Sequence, residues 1–296
     1  MKYRSDLAVE CKEMLEEKEH VRDMDGIVTE RYSYDSDISV IRIDITNETG
    51  AAKMNKSEGT YVTIEADGVL EERDGIKESL ADALAVELKK LIAFRYNLRV
   101  MVAGLGNSMV TPDSLGPAAA SKIKVTRHLF LMFDADGDDE MSCVSCMIPG
   151  VTGTTGMETA ELVKKAVELA CPDVLIVIDS LAARNIERVS TTIQITDTGI
   201  SPGGGMGNAR TGINRETTGV RVIAIGVPTV IDISTIVRDV LMDNEISAEK
   251  TDSYIEEYDR QMIVTSTDID TIIKDFSDII ASGINKTLHP GIYSEQ

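Results

Sequence analysis

Two carboxylates in this chain are placed where they could do chemistry together. The first, Asp113, lies within residues 100–117, VMVAGLGNSMVTPDSLGP. That stretch begins as an apolar strand. It breaks at Gly104-Leu105-Gly106-Asn107, where two glycines permit backbone angles closed to other residues. The second, Asp179, directly follows the apolar run VLIVI at 174–178 and precedes SLAAR at 180–184. In an open α/β sheet, ligands gather outside the carboxyl ends of the strands. Two such strands, each delivering an Asp to that edge, bring both acids into one cleft. At ~4 Å and an effective dielectric near ~20, two carboxylates repel by ~4 kcal/mol. That separates their pKa values by ~3 units. One then holds a proton near neutral pH while the other stays ionised. Such a pair can activate a water and protonate a leaving amine.

Gly104, Gly106 and Asn107 shape the first strand end, and Arg184 and Arg188 follow the second. These arginines could orient a carboxylate or a substrate, or form surface ion pairs. Asp197-Thr198-Gly199 repeats the Asp-Thr-Gly of all-β aspartic peptidases. It occurs once, in a chain with at least four predicted helices, so a turn-forming or substrate-loop role fits it better. Gly104-x-Gly106 lacks the third glycine of a dinucleotide fingerprint, since Met109 stands there. The GGGMG run at 203–207 is read as a flexible loop, or as a phosphate cradle. No G-x-S-x-G motif and no Ser/His/Asp set is present. The acidic turn at 134–140, DADGDDE, lacks the bidentate Glu of a calcium loop. Cys143-x-x-Cys146 has half of a zinc spacing but no second pair, so buried thiols are expected.

The elements that must hold these residues follow from periodicity. Helices are predicted over 6–18, 75–94, from 114, from Thr155 to about Ala170, over 232–242 and over 268–284. Strands are predicted over 39–45, 60–65, 98–103, 129–133, 141–148, 174–178, 190–195 and 222–227. Residues 1–37 read as charged and irregular at first, 50–59 as a loop, and 244–266 as polar with little period. Glu158 is placed in a capping box with Thr155. The class is α/β: a three-layer sandwich around a twisted, mostly parallel sheet. A β-rich N-terminal extension spans 39–66, and no linker divides residues 1–296.

The chain has 296 residues, no Trp and a formal charge of −20. That balance argues against a direct nucleic-acid binder, whose affinity comes from Lys and Arg on phosphates. No apolar run reaches the ~20 residues that span a bilayer, and the first residues lack a signal-peptide core. A cytosolic protein is expected.

Ordered motifs run nearly end to end: RSDLAVE (4–10), GLGN (104–107) with TPDSLGP (111–117), TRH (126–128), PGVTGTTGMET (149–159), IDSLAAR (178–184), TIQITDTG (192–199), AIGVPT (224–229) and ASGINKTLHP (281–290). Together they resemble the germination (spore) proteases of endospore-forming bacteria. The resemblance implies an endopeptidase that begins the degradation of small acid-soluble spore proteins in the forespore or spore core. It implies a fold like that of the hydrogenase-maturation proteases, a homotetramer and no cofactor. Carried over by motif, the functional aspartates fall on Asp113 and Asp179. The family is made as a zymogen that trims itself, and here the cut would fall between Asp6 and Leu7, leaving 1–6 as a short pro-segment. A metal-dependent peptidase using the same carboxylates, and a non-catalytic anion-binding α/β module, are the alternatives. No His is placed to complete a nickel-type ligand set.

Overall fold

The computed structural model describes residues 5–19, 24–71, 73–95, 97–132, 140–202, 210–243, 248–257 and 262–293. In chain order, helix α1 (Ala8–Glu19) leads into strands β1 (Ile27–Ser33) and β2 (Ile38–Ile45), helix α2 (Glu48–Met54) and strand β3 (Gly59–Ala66). Helix α3 (Ile76–Leu91), strand β4 (Arg99–Gly104), helices α4 (Leu115–Ala120) and α5 (Arg127–Met132) and strand β5 (Cys143–Met147) follow. Helices α6 (Thr152–Thr155) and α7 (Thr159–Ala170) precede strands β6 (Val174–Ala183) and β7 (Thr192–Thr196). The chain continues through α8 (Arg215–Thr218), β8 (Arg221–Asp232), α9 (Ile233–Asp243), α10 (Ala248–Glu257), β9 (Ile263–Val264), α11 (Ile269–Leu288) and α12 (Pro290–Tyr293).

All these strands form one sheet in the order β1-β2-β3-β7-β8-β6-β4-β5, with β9 against β8. The pairs β5/β4, β4/β6 and β6/β8 are parallel. From β8 through β7, β3 and β2 to β1 the pairing is antiparallel. The N-terminal β-rich segment is therefore the continuation of the sheet, joined through β3 and β7. The parallel strands are apolar on both faces because both are covered. On one face, Ile176, Ile178, Ile193, Ile195, Ile223 and Ile225 pack under α3, α4 and α11. Phe276, Leu84 and Leu88 are fully buried there, each worth about 1.5–3 kcal/mol.

The opposite face carries two separate clusters. Leu175, Val177, Val222 and Ala224 meet Val163 and Val167 of α7. Leu181, Ala183, Ile41, Ile43 and Tyr61 meet Leu7, Ala8 and Leu15 of the N-terminal helix region. The layers are thus helix, sheet, helix, with a seam on the second face between α7 and α1.

Several expectations change. Residues 127–132 form a helix where a strand was expected for 129–133; a short apolar run does not distinguish the two by period. Residues 48–54 are helical within the expected loop, because Asn47 accepts the Gly50 N–H as an N-cap and Asn55 turns left-handed at the end (φ 49°). Thr155 ends α6 instead of capping α7, whose N-cap position is Glu158. Strand β1 occupies part of the irregular start, and α10 part of the aperiodic 244–266 segment. Cys143 and Cys146 lie three apart on β5, so they face opposite sides of the sheet. They form no common ligand pair, and burial pushes the Cys146 thiol up to about 11. The acidic turn at 134–140 falls outside the described residues except Glu140, and the glycine run at 203–207 falls wholly outside them. No described helix is long and apolar enough to cross a membrane.

Candidate active site

Glycine contacts fix the first acid. After β4 the chain turns at Gly106, at φ 110°. A Cβ there would lie 2.1 Å from the Asp113 carbonyl oxygen and 3.2 Å from its Oδ1. Gly104 lets α4 settle onto β4, since a Cβ would meet the Gly116 oxygen at 2.2 Å. Gly116 in turn lies against Leu105 and the Ile178 carbonyl, where a Cβ would meet oxygens at 2.2 and 2.4 Å. Leu105 donates its N–H to that same Ile178 oxygen at 2.8 Å. These close approaches tie the end of β4 to the residue immediately before Asp179.

Asp113 ends a 3-10 turn, Thr111–Asp113, in which Pro112 supplies a fixed φ. Asn107 donates its backbone N–H to both the Asp113 carbonyl (3.0 Å) and Asp113 Oδ2 (2.8 Å). The Thr229 hydroxyl of β8 donates to the Pro112 carbonyl at 2.7 Å. The turn is thereby fastened to both neighbouring strand ends. The helix N-cap position belongs to Ser114, one residue later.

Asp179 lies inside β6, which runs on to Ala183, and not at the strand end expected from the apolar run 174–178; it is 5% exposed. It shares its side of β6 with Leu175 and Val177 on one hand and Leu181 on the other, so it stands at the seam between the two apolar clusters. Its Oδ1 accepts the Ser180 N–H at 2.9 Å. Burial pushes its pKa well above the usual carboxylate range. The negative charge of Asp113 adds to that rise and Asp6 adds further, while the Ser180 N–H and the Arg210 guanidinium oppose it. Asp113 is also raised by burial, opposed by the Asn107 N–H and Arg210. Asp113 is the half-buried member and carries the weaker perturbation. The negative charge of Asp113 disfavours ionisation of Asp179 beside it.

Sequence reasoning missed Arg210. No motif marks it, yet its charge acts on both acids. Its place is set by Ile200 and Ile213, which exchange two backbone hydrogen bonds (3.0 and 2.7 Å) at the base of the loop. Gly199, at φ 85°, permits the close pass there. Two other candidates stand apart. Asp197 accepts the Thr60 N–H at 2.8 Å and faces Arg221 at 3.9 Å, holding the β7 end to β3. Arg184 lies 3.9 Å from Glu17 and 3.6 Å from Asp239, on the flank toward α1 and α9.

The N-terminal segment reaches the same region. Asp6 donates its N–H to the Ala182 carbonyl (3.0 Å) and accepts the Ala182 N–H on Oδ2 (2.9 Å). It does so where the β6/β8 register shifts between Leu181 and Ala182. Leu7 is 0% exposed within the adjoining cluster. Glu10 accepts the N–H groups of Arg184 (2.7 Å) and Asn185 (2.8 Å). Arg188 grips Glu13 at 2.5 and 2.7 Å and Glu65 at 2.9 Å. A groove of about 900 Å³ opens beside Asp6, walled by Lys56, Tyr61, Leu181 and Gln194. Among the described residues, no group of three or more His, Cys, Asp and Glu side chains is arranged to hold a metal ion.

Comparison with known proteins bears on this site. A family model described as germination protease matches residues 8–246. A germination protease of Clostridium perfringens (strain SM101) is 41% identical over 99% of this chain and 97% of its own length. One from Caldanaerobacter subterraneus subsp. tengcongensis is 42% identical, over 99% and 96%. One from Bacillus subtilis (strain 168) is 35% identical, over 99% and 95%.

Proposed function

The chain belongs to the germination protease family, and from that premise we propose that it is an endopeptidase of the spore interior. It opens the degradation of small acid-soluble spore proteins at germination, hydrolysing their peptide bonds with the Asp113/Asp179 pair. Ionised Asp113 takes a proton from a water molecule, whose oxygen adds to the scissile carbonyl carbon. Asp179 gives its proton to the developing oxyanion. Asp113 then passes its proton to the amide nitrogen, the C–N bond breaks as a hydroxyl proton of the intermediate returns to Asp179, and the pair is left with one shared proton. The observation that carries the reading is the burial of Asp179 beside the charge of Asp113, which favours a singly protonated pair. Arg210, whose charge opposes the rise at both acids, favours the ionised form of Asp113.

We assign the same chemistry to the chain itself. It is made as a zymogen and cuts between Asp6 and Leu7, so that residues 1–6 leave as a pro-segment and Leu7 becomes the new N-terminus. The placement of Asp6 against β6, within the electrostatic reach of Asp179, supports this reading. The active form is a homotetramer, and residues 1–296 act as one peptidase domain.

Asp113→Asn and Asp179→Asn, assayed on a purified small acid-soluble spore protein, test the pair. Each is expected to lower turnover by roughly 10²–10⁴ with the fold retained. Wild-type turnover in either variant rejects the dyad. The competing reading, a metallopeptidase built on the same acids, predicts instead that activity falls on exhaustive chelation and returns with added metal.

A further inference from the structure

The carbonyl oxygen of the Asp6–Leu7 peptide bond is held by two side chains. Lys56 donates from Nζ at 2.8 Å and Gln194 from Nε2 at 3.0 Å. Gln194 also accepts the Ala8 N–H on Oε1 at 2.6 Å. One amide side chain thus bridges the peptide groups on either side of Leu7, much as a neighbouring strand would. Leu7 turns its own N–H to the Ser5 hydroxyl at 3.0 Å.

The register places this grip in relation to the acids. Gln194 of β7 lies opposite Gly226 of β8, and Gly226 lies opposite Asp179 of β6. Residues opposite one another share a face, so Gln194 and Asp179 point to the same side, two strand spacings or about 10 Å apart. The position between them is a glycine, where a Cβ would meet the Leu181 side chain at 2.5 Å. On the β6 side, Asp6 is fastened at Ala182, three residues beyond Asp179. The bond is suspended between β7 and β6 over this row.

We propose that Lys56 and Gln194 form the electrophilic clamp for cleavage of the Asp6–Leu7 bond, stabilising the charge that develops on the Asp6 carbonyl oxygen. The proposal rests on the self-cleavage reading above and adds residues that the carboxylate pair does not supply. In that step a water oxygen bonds to the Asp6 carbonyl carbon, and the carbonyl π electrons move onto the oxygen. They return as the C–N bond breaks, and the Leu7 nitrogen leaves with the proton that Asp113 took from that water. An ammonium and an amide N–H already aimed at that oxygen need no rearrangement as its charge grows. Satisfying a neutral carbonyl would take a single neutral donor; here there are two, one of them charged.

The test follows release of the Leu7 N-terminus from the purified full chain by intact mass, in the wild type, Lys56→Met, Lys56→Arg, Gln194→Leu, Gln194→Glu and Asp179→Asn. Lys56→Met and Gln194→Leu are expected to slow release by about 10²–10³, with unchanged melting temperature. Lys56→Arg, which restores a charged donor, is expected to recover much of the loss; a merely structural role would not separate Arg from Met at equal stability. Gln194→Glu keeps the shape and removes the donor, so it is expected to fail as Gln194→Leu does. Wild-type release in Lys56→Met and in both Gln194 variants, with none in Asp179→Asn, overturns the clamp and leaves self-cleavage standing. A wild type that digests spore protein and never releases a chain beginning at Leu7 overturns self-cleavage, and the clamp with it.

Discussion

Replacing Gly106 with alanine isolates the position of Asp113 from its chemistry. The backbone at Gly106 has φ 110°, so an alanine there is strained by about 1–3 kcal/mol. The added Cβ also lies 2.1 Å from the Asp113 carbonyl oxygen, so the two must part by about 1 Å. That displacement moves the turn carrying Asp113, and a misplacement of about 1 Å in a catalytic group is worth roughly 10² in rate. Gly219 provides the control. It sits at φ 78° with nothing within 4 Å of an added Cβ, so Gly219→Ala carries backbone strain of about 1–2 kcal/mol without a clash. Both variants are expected to melt below the wild type. Only Gly106→Ala is expected to lose about 10² in turnover on a spore-protein substrate, measured well below its melting temperature. Equal activity in the two, each folded, refutes the claim that this glycine places the acid.

Asp179→Asn is expected to alter the pH dependence of stability. The folded chain holds the Asp179 proton more tightly than the unfolded chain, whose carboxyl titrates near ~3.9. The folded state therefore binds more protons above that value, and wild-type stability falls as pH rises from about 4 toward the raised folded value. The Asn variant lacks this slope, so its stability gains on the wild type as pH rises above about 4, by up to about 1.4 kcal/mol per pH unit until the raised folded value is passed. Melting curves across that range check it, and a gap independent of pH contradicts the assignment. Arg188→Met is expected to destabilise by about 1–2 kcal/mol, because the half-buried Glu13 and Glu65 lose a charged donor at the junction of α1, β3 and the β6 end and are only partly resolvated; urea denaturation with less than about 0.5 kcal/mol lost denies that junction its role. Dialysis against a chelator is expected to leave hydrolysis unchanged.

The legible parts of this structure were those set by local pattern. The runs at 100–103 and 174–178 are apolar throughout because their strands are covered on both faces, but the second strand does not stop at Asp179: β6 pairs with β8 as far as Ala183, so this acid lies within the strand, opposite Gly226. Helix α11 was legible for a like reason, since its apolar stripe recurs at 3.6 residues. What stayed hidden depends on register between distant strands. Gln194 was visible only as the polar member of an alternating strand. Its alignment with Asp179 exists because β7 and β6 both pair with Gly226. Lys56 lies in a segment read as loop, just past a helix whose ends are made by Asn47 and Asn55. Arg210 bears on the acids through its charge alone, from beside a bridge between Ile200 and Ile213 that no spacing announces.

The same register explains why the acids can sit where they do. Strand β8 is the place where the sheet changes hand of pairing, parallel to β6 on one side and antiparallel to β7 on the other. Helices that cover the parallel half arrive by crossover connections, as α7 does. The antiparallel half needs no crossover and is covered on that face by α1, from the chain's own beginning. The two coverings meet over β6 at Asp179, between Val177 of one cluster and Leu181 of the other. An ionisable group in the middle of either cluster would face a large desolvation penalty with no partner. At the seam, Asp179 keeps the Ser180 N–H and the nearby charge of Arg210, while burial still raises its pKa. The segment that completes the second covering is also the segment containing the Asp6–Leu7 bond. Its position beside the acids is therefore a consequence of how this sheet is closed.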